Sequence, residues 1–182
     1  MDVETDPRRP GGPSLGTAVG RADRRDYGGV VSRDLPLIPI HEVQGVELNS
    51  PLAGRTVRVR GVVTGRARKG YFVQAPRRPK DRRGSSAIFV YSPRRKAKVG
   101  WLVEVVGVVV DFRRQEDDRP CTQLKPLEVR KLSGRGPDVE PVWLTASLLA
   151  GEPVASLLNR HEGMLVGIEA GSVFAAPSNP FG

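Results

Sequence analysis

Fifteen lysines and arginines lie between residues 55 and 100, against one acid, Asp81, a local charge of +14. Outside that window, fourteen basic and nineteen acidic residues sum to −5, so the chain's net +9 is concentrated in one quarter of its length. The cations come in clusters. Arg58 and Arg60 alternate with Val57 and Val59; Arg66, Arg68 and Lys69 precede Gly70; Arg77, Arg78, Lys80, Arg82 and Arg83 fill a second run; Arg94, Arg95 and Lys96 fill a third. Between the runs stand Phe72, Gln74, Phe89 and Tyr91. Cationic loops that hold phosphates, beside exposed rings that stack on bases, are the chemistry of single-stranded nucleic-acid binding. A concentrated basic field selects a polyanion in general, with an anionic membrane surface second to nucleic acid.

Hydrolytic or redox chemistry has less to draw on. His41 stands beside Glu42 without a second His, a Cys or a serine nucleophile nearby, which reads as a surface histidine on an entering strand. A single cysteine, Cys121, leaves neither an intramolecular disulfide nor a cysteine-based zinc site. Metal-assisted phosphodiester hydrolysis needs carboxylates and a base converging on a cation, and the scattered acids and two histidines offer no such set. Glu116, Asp117 and Asp118 read as a solvated turn. The expectation is a protein without catalysis, cofactor or metal.

The cations need a scaffold, and the apolar pattern supplies one. RTVRVRGVVTG, KGYFVQA, SAIFVY and VGWLVEVVGVVVDF are rich in β-branched and aromatic residues and bounded by Gly, Pro, Ser or charges; CTQLKPLEVRKLS makes a fifth segment, with Pro126 suited to a sheet edge. Alternation places Tyr71, Val73, Ile88 and Val90 on the inner face and leaves Phe72, Gln74, Phe89 and Tyr91 outside. Gly61 and Gly107 interrupt long strands, where bulges would curl a short sheet into a small basic barrel. Beyond residue 141, Thr145, Gly151 and Pro153 punctuate a helical return in which Leu148, Leu149, Leu157 and Leu158 pack on the sheet, and GMLVGIEAGSVF opens a new strand. Residues 1–36 lack periodicity and apolar content and read as a disordered tail. No stretch reaches the length of an apolar membrane span, and the N-terminus lacks the apolar core of a signal peptide, which by itself implies a cytoplasmic product.

Taken in order, IHEVQG (40–45), SPLAGRTVRVRGVVTG (50–65), GYFVQAP (70–76), AIFVYS (87–92), VGWLVEVVGVVVDF (99–112), TQL (122–124) and HEGMLV (161–166) resemble a known family. It is the OB-fold domain that precedes the endonuclease/exonuclease/phosphatase-type catalytic domain of bacterial extracellular nucleases. The resemblance implies a mainly β fold: a five-stranded OB-like Greek-key barrel over 37–170 with a short C-terminal helical return. Residues 171–182 then form a tail or the start of a following domain. It also implies an exported protein and, as a partner besides nucleic acid, a separately encoded nuclease domain. The family carries an acidic loop after its second strand; here APRRPKDRRG stands in that place, with Ala75 where Asp is usual, which favours phosphate over a cation. The alternative function is a scaffold that positions a nuclease or other partner without touching nucleic acid.

Overall fold

The computed structural model describes residues 34–81, 83–93, 97–151 and 153–168. Arg82, Arg94, Arg95 and Lys96, nearly all of the N-terminal segment and the whole of 171–182 lie outside the described residues. The described part is mainly β. Five strands, β1 (Thr56–Ala67), β2 (Gly70–Gln74), β3 (Ala87–Tyr91), β4 (Leu102–Phe112) and β5 (Cys121–Ser133), form one mixed sheet. Its order is β1-β2-β3-β5-β4, and β4 pairs back onto β1, so the hydrogen bonding closes into a ring. All pairs are antiparallel except β3 with β5, where Phe89 faces Gln123 and Val90 faces Leu124.

The alternating segments form strands because one face of each has a core to enter. Val57, Val59, Val63, Tyr71, Val73, Ile88, Val90, Val103, Val105, Val109 and Leu124 are all buried inside the ring. Full burial of each such side chain contributes on the order of 1.5–3 kcal/mol. The inward set on β2 and β3 is the expected one.

Several local expectations change. IHEVQ is a helix, α1 (Ile40–Gln44), and not an entering strand; it sends Ile40 and Val43 into the core. Pro39 before it and Gly45 after it, at φ 72°, are its start and stop signals. The entering strand shrinks to one bridge, Leu37 with Arg58. Gly107 does mark a register shift, opposite Pro126, so that proline lies at an irregularity of the β4–β5 ladder. Gly61 does not; β1 shifts between Val63 and Gly65, and Gly61 is where the β2 backbone comes close.

The C-terminal return is only partly helical. It runs β6 (Val142–Leu144), α2 (Ala146–Ala150), α3 (Val154–Arg160) and β7 (Val166–Ile168), with β6 and β7 forming a separate parallel pair. Thr145 caps α2 by accepting from the Leu148 amide. Leu157 is buried, whereas Leu149 and Leu158 face solvent, since helices of five and seven residues present little more than one side chain to the sheet.

Candidate nucleic-acid interface

Register defines three cross-strand rows on the outer face of β1–β2–β3. They are Ala67–Gly70–Tyr91, Gly65–Phe72–Phe89 and Val62–Gln74–Ala87. In the middle row the Phe72 and Phe89 rings pack with centroids 5.1 Å apart and planes at 55°. Both rings and Tyr91 are half-buried. Their neighbours are the smallest residues available. At Gly70 a Cβ would meet the Val90 carbonyl at 2.1 Å and the Phe89 ring at 2.6 Å, so any side chain there would displace the ring. The first two rows therefore present three half-buried aromatic rings beside Gly65, Ala67 and Gly70.

The third row is closed. Gln74, expected outside as a polar contact, points out of the core but is buried; its Oε1 accepts from the Leu165 amide at 2.8 Å. The segment after α3 lies across this end. The Ser85 hydroxyl donates to the Glu162 carbonyl at 2.7 Å, Met164 is buried, and Gly163 sits against the edge of Phe72. Gln74 is thus a fastener for the return.

The basic residues divide by position. Arg66, Arg68 and Lys69 are exposed at the β1–β2 turn, and the Ser92 amide donates to the Lys69 carbonyl, which brings this turn beside Tyr91. On the β2–β3 connection Arg77, Lys80 and Arg83 are exposed and Arg78 is half-buried; Arg83 pairs with Asp81 at 3.3 Å in the open. Arg58 and Arg60 lie elsewhere, on the β1–β4–β5 face. There Arg58, Arg60 and Arg130 meet Glu104 at 3.1, 3.0 and 2.7 Å. Burial alone would raise the Glu104 carboxyl, but hydrogen bonds from Arg58, Arg130 and Arg60 outweigh it and bring it down to about 2. Arg58 also donates to the Leu35 carbonyl. The signal for this cluster was one acid inside an otherwise apolar strand, and its significance was missed.

Acids that could have formed a reactive site hold the fold together. Asp111 accepts from the Ser50 amide and from the Thr122 hydroxyl at 2.7 Å, and Glu162 accepts from the Thr122 amide at 3.1 Å. Burial, with the nearby Glu162, pushes the Cys121 thiol up to about 12, which disfavours a thiolate nucleophile. Among the described residues no group of His, Cys, Asp and Glu is arranged to hold a metal ion, and no helix is long and apolar enough to cross a membrane.

No protein-family model matches the chain, and no curated protein matches it in sequence. Among solved structures, an OBody bound to hen egg-white lysozyme is similar at 23% identity and a TM-score of 0.31, over 44% of this chain and 84% of that one. A protein described as an aspartyl-tRNA synthetase from Leishmania major Friedlin is similar at 18% identity and a TM-score of 0.36. That match spans 56% of this chain and 21% of the synthetase.

Proposed function

We propose that this chain is a non-catalytic nucleic-acid-binding module of the OB type, a five-stranded Greek-key barrel whose ligand is single-stranded DNA or RNA. The reading is carried by the three half-buried rings Phe72, Phe89 and Tyr91 on adjacent outer rows, beside the small residues Gly65, Ala67 and Gly70. Bases stack on such rings whatever their identity, while Arg66, Arg68 and Lys69 at one end and Arg77 and Lys80 on the β2–β3 connection neutralise phosphates. A duplex offers its bases only at groove edges, so this face suits a single strand better. The proposed place of the module is that of the OB domain preceding the catalytic domain of bacterial extracellular nucleases, with a nuclease domain as working partner.

The test is an anisotropy titration of the purified protein with single-stranded oligonucleotide, duplex of the same sequence, and heparin. Tightest binding to the single strand is expected. Equal affinity for all three would reduce the interaction to charge, and no binding to any would leave the scaffold reading.

A further inference from the structure

Beyond the β2–β3 rings, the geometry points to a second base-stacking subsite, in which Trp143 holds one nucleotide of the same single strand; it rests on the nucleic-acid reading above. The subsite is an open cleft of about 1130 Å³ between the β2–β3 connection and the β6 segment. It begins at Gln74, the last residue of β2, so it adjoins the proposed interface where the return closes the third row.

Trp143 is 57% exposed, in a protein with only one other tryptophan. Its cross-strand partner in the β6–β7 pair is Gly167. A Cβ built on Gly167 would lie 2.8, 2.9 and 3.0 Å from three consecutive atoms of the six-membered indole ring. Near-equal distances to consecutive ring atoms mean a face-on approach, since an edge-on one would favour a single atom. The indole therefore lies flat over the β7 backbone, one face supported and the other turned outward. An aromatic ring held this way loses little conformational freedom when a base stacks on it. Only glycine at position 167 permits the arrangement.

The cleft walls supply the rest of a nucleotide's chemistry. Exposed Arg77 and Lys80 on one wall fit a phosphate, whereas Asp138 and Glu140 on the other repel phosphate and offer acceptors to base amino groups. The opposed charges orient the nucleotide with its phosphate toward the β2–β3 connection. A purely apolar peptide would leave Arg77, Lys80, Asp138 and Glu140, four of the six charged side chains that line the cleft, without use, which favours a nucleotide over a protein segment.

The test uses the full chain and an oligothymidylate of about ten nucleotides, within the span one OB-type module covers. Tryptophan emission should fall on saturation in the parent and stay unchanged in Trp143→Phe, where Trp101 reports alone. Trp143→Ala should weaken binding by about 5- to 150-fold, the range of one lost base stack. Gly167→Ala, which displaces the indole without altering charge, should weaken binding in the same direction. Circular dichroism checks that both variants fold, and the emission change in the parent stands even if one does not. Suppose the oligonucleotide binds the parent and Phe89→Ala weakens it, yet emission is unchanged and both cleft variants bind like the parent. The subsite is then wrong and the β2–β3 interface stands. Failure of the parent to bind any single strand overturns both.

Discussion

Two outer faces of the same ring share strand β1 and use their charged residues in opposite ways. On β1–β4–β5, three arginines converge on one buried carboxylate, Glu104, which holds their guanidinium groups in place. On β1–β2–β3, rings lie among glycine and alanine while the cations stand at the margins, mostly facing water. A cation's availability thus depends on which strand lies opposite it. Arg60 faces Glu104 across the β1–β4 ladder, whereas Arg66 stands exposed beside the β1–β2 turn. The first face should govern stability and the second should govern binding.

The largest effect should follow from breaking the first face. Glu104→Gln removes the charge that holds three arginines together. Loss of one partner from a fully buried pair costs about 3–5 kcal/mol. Arg60 and Arg130 are more than 40% exposed, and water can take up part of that loss, so about 2–3 kcal/mol is expected in urea unfolding at neutral pH. The acid limb should change with it. Because the folded carboxyl titrates near 2 against an ordinary 4.5, Glu104 contributes its full stabilisation above about pH 4.5 and loses it as the pH falls toward 2. The Gln variant should therefore flatten the decline of stability across that window.

The second face should behave in the converse way. Phe89→Ala should cost about 1–3 kcal/mol of single-strand affinity and leave the salt dependence of binding as it was, read by anisotropy at several salt concentrations. Arg77→Ala combined with Lys80→Ala should do the reverse. With about 0.7 counterions released per phosphate, the slope of log K against log salt should become shallower by about 1.4. The smallest effect is expected from Arg60→Ala, within about 0.5 kcal/mol in binding, because that side chain is committed to Glu104. A change in salt slope as large as that of the Arg77/Lys80 variant would erase the distinction between the faces.

Much of the fold was legible because period-two alternation decides which side of a strand is buried. Tyr71 and Val73 against Phe72, and Ile88 and Val90 against Phe89, needed only that rule. Gln74 shows where it stops. Alternation correctly put Gln74 on the outer side, but its burial depends on Leu165, ninety-one residues later, and no local pattern encodes that contact. The helix at Ile40–Gln44 is too short to show a helical period, and only its flanking Pro39 and Gly45 announce it. Arg58 and Arg60 were placed on the outer surface by their spacing, yet pairing with Glu104 required knowing that β4 lies beside β1. The same holds for Trp143, whose role depends on Gly167 across a parallel pair joined by two helices.

The most direct test of the central claim is ultraviolet cross-linking of a thymine-rich single strand to the protein, with the attached peptides mapped by mass spectrometry. Cross-links should fall on Phe72, Phe89 and Tyr91, in the peptides of β2 and β3, and should disappear in excess unlabelled single strand. Cross-links confined to the peptides of β4 and β5, or none at saturating oligonucleotide, would contradict the account.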